Sequence, residues 1–276
     1  MKILLTGHKG QLGRALIPLL VHHQVVGADL PEHDITARED FRALAHRFRP
    51  DLILHPAAMT DVDGCARDPA LAYRVNGMGT QNVALAAAEV DAELLYVSTN
   101  EVFDGQAAAP YHEWATRNPV NAYGRSKLAG EWYVQNLLTR FYIVRTAWLY
   151  APGGRNFPHR IIQLADERGS LKVVADEVGN PTYVADLARA IVALIETHAY
   201  GIYHGVNAGA ASRYEFAKEI LRLSGREHIP VEPITLAEFQ RASTPPPYAP
   251  LENNAGAALG ITFRPWQEAL AEFLGE

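Results

Sequence analysis

Three glycines near the amino terminus, Gly7, Gly10 and Gly13, constrain the fold of this 276-residue chain more than any other feature. They follow a short apolar run at 2–6 and lead into a helical pattern. Glycines at this spacing permit a tight turn, let the backbone approach a pyrophosphate, and pack a helix closely on a strand. A glycine-rich turn without a ligand is the alternative for such a loop alone. Because a second apolar run then ends at Asp29, the context predicts a strand–loop–helix–strand unit that binds a dinucleotide.

Apolar runs and helical patterns alternate through the first half of the chain. The predicted strands are 2–6, 24–28, Leu52 to His55, Leu94 to Ser98 and Tyr142 to Arg145, and the predicted helices are 11–21, 37–48, 70–89 and 122–138. This alternation is typical of a parallel sheet that is covered by helices on both faces. We therefore expect an α/β fold with a doubly wound, Rossmann-type parallel sheet.

The pattern changes after Tyr150, where short strands, helices and proline-rich loops such as 244–247 replace the regular alternation. We predict a dinucleotide-binding domain over 1–152 and a smaller α/β portion, mainly 153–276, that binds the substrate. The boundary is not sharp, because helices near 184–196 and 213–224 are candidates for packing back on the first domain.

Composition narrows the classes of function. A formal charge of −6 and a pI near 6.0 argue against nucleic acid or an anionic membrane as a partner. Cys65 is the only cysteine, so no internal disulfide framework is expected, and no apolar run approaches the roughly 18 residues of a membrane span. The 11 histidines show no metal-binding spacing, so no metal site is predicted. We expect a cytoplasmic globular protein.

A tyrosine and a lysine four residues apart, Tyr123 and Lys127, lie in the predicted helix 122–138. Residues at this spacing share one helix face, so the two side chains converge. A free tyrosine has a pKa near ~10, and a neighbouring ammonium lowers it, which suits the pair to giving a proton to a carbonyl oxygen. The spacing also occurs by chance in helices. Thr99, at the end of the fourth predicted strand, either caps a turn or joins the same site, because ligands of such sheets bind at the carboxyl ends of strands.

Several longer segments carry a more specific pattern. They are Gly10-Gln11-Leu12-Gly13, Pro56-Ala57-Ala58-Met59-Thr60-Asp61-Val62-Asp63, Ser98-Thr99-Asn100-Glu101-Val102-Phe103-Asp104-Gly105, Asn121-Ala122-Tyr123-Gly124-Arg125-Ser126-Lys127-Leu128-Ala129-Gly130-Glu131, Arg145-Thr146-Ala147-Trp148-Leu149-Tyr150, Gly179-Asn180-Pro181-Thr182 and Leu251-Glu252-Asn253-Asn254. In this order they resemble the extended short-chain dehydrogenase/reductases, and among them the dTDP-4-dehydrorhamnose reductases, over nearly the whole chain. The resemblance implies reduction of the C4 ketone of dTDP-6-deoxy-L-lyxo-4-hexulose to dTDP-L-rhamnose with NADPH or NADH.

The resemblance also assigns residues to the site. Tyr123 would donate the proton, Lys127 would hold the nicotinamide ribose and lower the Tyr123 pKa, and Thr99 would hydrogen-bond the same substrate oxygen. Trp148 would either cover the sugar or close the end of the sheet as a core aromatic. The implied cofactor-binding residues are Gly7, Gly10, Gln11, Leu12, Gly13, Asp29, Asp34, Ile35, Ala58, Met59, Thr60, Tyr123 and Lys127. The implied substrate-binding residues are Thr99, Asn100, Val102, Tyr123, Trp148, Asn156 and Arg241.

Two residues favour different cofactors. Asp29 is placed to accept a hydrogen bond from a ribose 2′-hydroxyl and would repel a 2′-phosphate, which favours NADH. Lys9 is a cation inside the glycine loop and can pair with that phosphate. The similar Gly-His-Arg-Gly loop of GDP-fucose synthases is an NADPH loop. We expect both cofactors to be used, with NADPH somewhat preferred.

Several positions depart from the family pattern. Asn100-Glu101 replaces the usual Asp-Tyr, Glu177 replaces a common Gln, and Pro245 and Ala249 stand where Arg and Ser are usual. Two alternatives therefore stay open. One is a sugar-nucleotide 4-epimerase, which must retain its NAD, and the other is a regulatory subunit similar to the beta subunit of methionine adenosyltransferase. The intact threonine, tyrosine and lysine argue against the regulatory subunit, and a homodimer is a further expectation from the resemblance.

Overall fold

The computed structural model describes residues 1–153 and 156–275. Its strands are β1 (Lys2–Thr6), β2 (Gln24–Ala28), β3 (Leu52–His55), β4 (Glu93–Thr99), β5 (Phe141–Thr146), β6 (Leu149–Tyr150), β7 (Leu171–Val174), β8 (Val178–Gly179), β9 (Thr182–Tyr183), β10 (Gly201–His204), β11 (Ala211–Ser212) and β12 (Val231–Ile234). Its α-helices are α1 (Gln11–Leu16), α2 (Arg38–Phe48), α3 (Val62–Arg67), α4 (Pro69–Ala72), α5 (Thr80–Val90), α6 (Ala122–Leu137), α7 (Phe157–Arg168), α8 (Val184–Ile195), α9 (Arg213–Leu223), α10 (Asn254–Ala258) and α11 (Trp266–Gly275). Short 3-10 helices cover Ile17–Leu19 and Asn100–Val102, and a π-helix covers Tyr73–Gly79.

The central sheet has six strands in the order β10-β5-β4-β3-β1-β2, and every pair is parallel. From β1 the chain adds β2 on one side and then β3 on the other. This switch point brings the loops after β1 and β3 to one crevice at the carboxyl ends of the strands. The predicted α/β fold with a doubly wound parallel sheet is confirmed.

One strand of this sheet, β10, lies outside the predicted set. It pairs with β5 at the edge of the sheet, and its first two residues are only partly buried. The run has four residues and begins with a glycine, so the local sequence carries a weak strand signal. The chain therefore returns from its second half to complete the first sheet.

The strands send side chains alternately to two faces. In β1, Ile3 and Leu5 join one core cluster and Leu4 joins the other. The first face is covered by α1 and α8, and the second by α2, α5 and α6. Each fully buried Leu or Ile contributes roughly 1.5–3 kcal/mol. This two-sided burial is what holds the strand ends, and the residues on them, in place.

The second portion of the chain is built around α7 and α9, which contact each other. It contains two-stranded pairings of β12 with β7 and β11 with β8, and a third pairs β6 with β9. Of the two helices that were candidates for returning to the first domain, α8 packs against α1. The boundary between residues 152 and 153 stays a prediction.

Two predicted helices differ in detail from the observed ones. The predicted helix 11–21 is α1 followed by a 3-10 turn that contains Pro18, because proline cannot continue the α-helical hydrogen bonds. The predicted helix 70–89 is composite, with α4, the π-helix Tyr73–Gly79 and α5 in succession. Across residues 1–153 and 156–275, no helix is long and apolar enough to cross a membrane.

Candidate active site

The loop between β1 and α1 is shaped for a close approach of its backbone. Gly7 has a φ of +59°, in the left-handed region that favours glycine, and a Cβ there would lie 2.9 Å from the Ala57 Cα. A Cβ at Gly13 would lie 2.4 Å from the Gly7 carbonyl oxygen. Gly10 precedes α1, and no side chain caps the helix start. The predicted loop residues thus form a cradle that larger residues would fill, and it fits the pyrophosphate of a dinucleotide.

A chain of buried hydrogen bonds lies beneath this loop. Thr6 Oγ1 is 2.7 Å from His55 Nδ1, and His55 Nε2 is 3.1 Å from Thr80 Oγ1. Thr80 donates to the Asn76 carbonyl oxygen at 2.7 Å. Burial, with a smaller contribution from the charge of Lys127, lowers the pKa of His55 to about 3. A neutral His55 therefore joins the ends of β1 and β3 to α5 and fixes the switch point.

Asn76, in the π-helix, holds the loop that follows β3. Its Oδ1 accepts from the Met59 amide at 2.8 Å, and its Nδ2 donates to the Met59 carbonyl at 3.1 Å and to Ser126 Oγ at 2.9 Å. Ser126 lies on α6, which also carries the predicted tyrosine and lysine. Met59, the middle one of the predicted cofactor residues Ala58, Met59 and Thr60, is therefore tied to α6 through Asn76. A π-helical segment at such a place agrees with the tendency of π-bulges to occur at functional sites.

On the other side of the glycine loop, Asp29 follows β2. Its Oδ2 accepts from the Lys9 amide at 3.0 Å and its Oδ1 accepts from the Leu30 amide at 2.9 Å, so the carboxylate is tied to the loop. Asp34 accepts from the amide two residues later at 2.8 Å and shapes its own turn. Ile35 is buried in the core that lies under this turn. The structure thus brings Asp29 to the glycine loop and places Asp34 and Ile35 in the segment that follows.

Thr99, Tyr123 and Lys127 come together at the carboxyl end of β4. Thr99 is the last residue of β4, and its side chain lies beside the Tyr123 phenol, whose pKa it acts to lower by hydrogen bonding. The Thr99 hydroxyl donates to Asn100 Oδ1 at 3.3 Å. Its Oγ1 also accepts from the Glu101 amide at 3.2 Å, so the turn cap considered from the sequence is present as well. The side chain of Asn121 caps α6 and fixes the turn that carries Tyr123. The three predicted catalytic residues therefore form one cluster.

Lys127 is buried within α6 and next to β4. Its Nζ donates to the Val97 carbonyl oxygen at 2.7 Å and lies 4.1 Å from the centroid of the Tyr96 ring. Burial lowers the pKa of Lys127 to about 7, although the charge of Glu131 acts to raise it. The amine is therefore near its midpoint of protonation at neutral pH.

The pKa of Tyr123 is raised well above its usual value. Burial is the main cause and the Glu101 carboxylate adds to it, whereas the hydrogen bond with Thr99 acts to lower the pKa. The net shift is upward because burial and Glu101 dominate, and the Lys127 amine is directed to the Val97 carbonyl. The lowering effect expected of Lys127 stays a prediction. A phenol with a raised pKa stays protonated at neutral pH, as a proton donor must.

Glu101, one of the departures from the family pattern, belongs to this site. Its Oε2 accepts from Asn121 Nδ2 at 2.6 Å. Burial raises the pKa of the Glu101 carboxyl, the Asn121 bond lowers it, Glu177 raises it, and Arg241 and Arg213 lower it. Four charged side chains therefore influence one another beside the tyrosine.

Trp148 follows β5 with its backbone in the left-handed region, at a φ of +44°. Its ring is packed on Gly179, where a Cβ would lie 2.7 Å from the Trp148 Cε2. The Arg213 Cζ lies 3.5 Å from the ring centroid, and Arg213 donates to Glu177 Oε1 at 3.0 and 2.9 Å. Residues in such a conformation cluster at functional sites. Trp148 is thus fixed at the end of β5, beside the end of β4.

Two of the predicted substrate-binding residues lie beneath the surface. Asn100 is buried and donates to the Ala249 carbonyl oxygen at 3.1 Å. Val102 is fully buried in a small apolar cluster. The loop after β4 turns both side chains into the interior of this structure, and the substrate contacts expected of these residues stay predictions.

The remaining predicted substrate residues are engaged in the protein. Asn156 caps α7 by accepting from the His159 amide at 3.2 Å, and its Nδ2 donates to the Ala151 carbonyl oxygen at 2.7 Å. Arg241 donates through Nε to Asp63 Oδ1 on α3 at 3.1 Å, while 21% of its side chain is exposed. Arg241 thus lies against the first domain, whereas Asn156 has a local structural role.

Three side chains of this region, those of Asn76, Glu32 and Arg213, were not identified from the sequence. Asn76 stands as a polar residue within a helical pattern, which could have marked it for attention. Glu32 forms an ion pair with Lys9 at 2.8 Å, and Arg213 pairs with Glu177 across 36 positions of the chain. These pairings depend on tertiary contacts, so the local sequence gives no sign of them.

The chain is similar to known proteins over its whole length. The family model described as RmlD substrate binding domain matches residues 1–276. The chain is similar to the crystal structure of a dTDP-4-dehydrorhamnose reductase from Clostridium acetobutylicum, with a TM-score of 0.96 and 40% identity over 100% of this chain and 99% of that one. It is also similar to the Bacillus anthracis dTDP-4-dehydrorhamnose reductase in complex with NADP, with a TM-score of 0.95 and 39% identity over 99% and 98% of the two chains.

A further relative carries a different sugar in its name. The dTDP-4-keto-6-deoxy-D-glucose reductase of Streptomyces niveus is 38% identical over 273 residues, which are 98% of this chain and 95% of that protein. The match to the family model and these full-length similarities fit the fold. The chain therefore belongs to the RmlD substrate binding domain family, the family of the dTDP-4-dehydrorhamnose reductases that its motifs resemble.

Proposed function

We propose that this protein reduces the C4 ketone of dTDP-6-deoxy-L-lyxo-4-hexulose, also called dTDP-4-dehydrorhamnose, to dTDP-L-rhamnose with NADPH or NADH. The observation that carries the proposal is the cluster of Thr99, Tyr123 and Lys127 at the carboxyl end of β4, in the sheet whose switch point holds the glycine cradle. Relatives named as reductases of dTDP-linked keto sugars, one of them crystallised with NADP, support the same reading.

Tyr123 is the proton donor in this proposal. Reduction of a ketone adds a hydride to carbon and a proton to oxygen, and a bound nicotinamide dinucleotide supplies the hydride. The raised pKa keeps the Tyr123 phenol protonated until negative charge develops on the substrate oxygen. The Thr99 hydroxyl, which lies beside Tyr123 and donates to Asn100 Oδ1 at 3.3 Å in this structure, would turn to the same oxygen and stabilise that charge.

Lys127 prepares the site for loss of the Tyr123 proton. A phenolate is more stable near a positive charge, so a protonated Lys127 favours the proton transfer. The Val97 carbonyl and the Glu131 carboxylate both favour the charged amine, which opposes the effect of burial. We assign contact with the nicotinamide ribose to the same amine, as the resemblance implies.

The substrate has a sugar end and a diphosphate end. We assign the sugar to the surface formed by Thr99, Tyr123 and Trp148, which end neighbouring strands or begin α6. We assign the diphosphate to Arg241, whose guanidinium is partly exposed beside Asp63. A diphosphate can share this arginine, because an ion pair that is partly exposed is weak.

The direct test is loss of nicotinamide absorbance when the purified protein meets freshly generated dTDP-6-deoxy-L-lyxo-4-hexulose with NADPH and, separately, NADH. Oxidation of the cofactor with formation of dTDP-L-rhamnose is expected. A parallel reaction with dTDP-4-keto-6-deoxy-D-glucose tests the sugar named for the Streptomyces niveus relative. Turnover of only that sugar would change the assigned substrate to dTDP-4-keto-6-deoxy-D-glucose. No turnover of either sugar would refute the proposed reduction.

The same purified protein separates the alternatives left by the sequence. A 4-epimerase retains its NAD after purification and interconverts sugars without net oxidation of cofactor, and a regulatory subunit binds the dinucleotide without turnover. The cytoplasmic location and the homodimer stay predictions. Size-exclusion chromatography with light scattering measures the oligomeric state, because it reports the molar mass directly.

A further inference from the structure

Lys9 and Glu32 form an ion pair beside the end of β2. Lys9 Nζ lies 2.8 Å from Glu32 Oε2 and donates to the Leu30 carbonyl oxygen at 2.8 Å. The Lys9 amide also donates to Asp29 Oδ2 at 3.0 Å. Because Asp29 follows β2, where an acidic residue bonds the ribose 2′-hydroxyl in dinucleotide-binding folds, the ammonium and both carboxylates would border the same ribose.

The charges of Asp29, Glu32 and Lys9 together do not favour NADH or NADPH clearly. Each carboxylate oxygen of Asp29 accepts one amide hydrogen and retains a second lone pair, so a 2′-hydroxyl can still be bound. Two carboxylates and one ammonium leave an excess of one negative charge, and His33 is the further titratable group that acts on Glu32. A 2′-phosphate needs the Lys9 ammonium, but Glu32 already holds it.

We propose that Glu32 is a specificity-determining residue, which keeps NADH competitive by holding Lys9 away from the 2′-phosphate of NADPH. This specificity role rests on the proposed function, because it requires that the protein bind a nicotinamide dinucleotide. The side chains of Lys9 and Glu32 are 49% and 63% exposed. An exposed ion pair is weak, so a 2′-phosphate can compete for Lys9, and both cofactors are therefore used.

The test compares dissociation constants of NADPH and NADH, measured by calorimetry without any sugar substrate. Glu32→Gln frees Lys9 and removes one negative charge, so we expect NADPH to bind about tenfold more tightly while NADH changes by less than about twofold. Glu232→Gln is the matched control. It breaks the exposed Lys172–Glu232 pair of the second portion, at 3.1 Å, with the same change of charge. This control should leave the ratio of the two constants unchanged.

A second variant tests whether Glu32 acts through Lys9. In a Lys9→Gln background the effect of Glu32→Gln on the ratio should fall to about threefold or less, and in the parent it should shrink as salt screens the charges. An unchanged ratio in Glu32→Gln, or the full shift in the Lys9→Gln background, would overturn the proposal. Failure to reduce the keto sugar would refute the proposed function and leave this binding test intact, whereas failure to bind either dinucleotide would overturn both.

Discussion

Acidification is expected to destabilise this protein through His55. The imidazole is fully buried and bonded on both sides, to Thr6 and to Thr80. Both partners are hydroxyl groups, so no carboxylate is available to stabilise a positive imidazolium. Protonation of His55 therefore costs free energy in the folded protein and little in the unfolded chain.

The size of the effect follows from the two pKa values of His55. Burial lowers the folded pKa from 6.5 to about 3, so the unfolded chain binds more protons at intermediate pH. The stabilising contribution is complete above pH 6.5 and is lost as the pH falls towards 3. At pH 5 the loss relative to pH 7 is about 2 kcal/mol, and below pH 3 it approaches about 5 kcal/mol.

The assay is urea unfolding at pH 7 and pH 5, with the parent protein and His55→Gln. Glutamine retains hydrogen-bonding groups but does not titrate, so the variant should lose about 2 kcal/mol less between the two pH values, whatever its stability at pH 7. The pKa of His204 is also lowered to about 3, mainly by burial. His204 therefore accounts for a second, separate part of the loss of unfolding free energy on acidification, which both proteins share. An equal loss in His55→Gln and the parent would refute the reasoning.

Three further changes test other parts of the structure. Tyr123→Phe should lower kcat by about 10²–10⁴-fold and leave the Kd of NADPH within about twofold, measured by steady-state kinetics and calorimetry, and near-normal turnover would exclude it as the proton donor. Glu101→Gln removes a charge that raises the pKa of Tyr123, so the phenol should become a stronger acid and kcat at pH 7 should rise. An unchanged or lower kcat would contradict this coupling. Arg145→Met leaves the buried Glu131 without its 2.8 Å partner and should lower the free energy of unfolding by about 3–5 kcal/mol, and a loss below about 1 kcal/mol in urea unfolding would contradict it.

The central sheet was predictable because its strands are continuous apolar runs. Leu52–His55 is an example, since its first three residues are apolar and buried, as a strand covered on both faces requires. The edge strand β10 was not predicted, because a half-exposed, four-residue run that begins with glycine lacks this continuous apolar pattern. The composite helix around Asn76 was predicted as one continuous helix, since a π-helical segment changes the spacing of the apolar residues only slightly.

The residues of the site were predictable where chain order alone brings them together. Strand ends meet at one edge of the sheet, and Tyr123 and Lys127 share a helix face, so their clustering with Thr99 followed from spacing. The direction of the Tyr123 pKa shift did not follow, because it depends on burial and on Glu101. The burial of Asn100 and Val102 likewise depends on how the loop after β4 turns inward, which the sequence does not state.

The left-handed backbone at Trp148 has a consequence for how this position can change. A residue with a Cβ carries about 1–2 kcal/mol of conformational cost there, which glycine would avoid. Glycine would also lose the packing of the indole ring on Gly179 and Arg213, so this packing offsets the backbone cost. In the proposed function the same ring covers the sugar, so selection for folding and selection for turnover would act on one side chain.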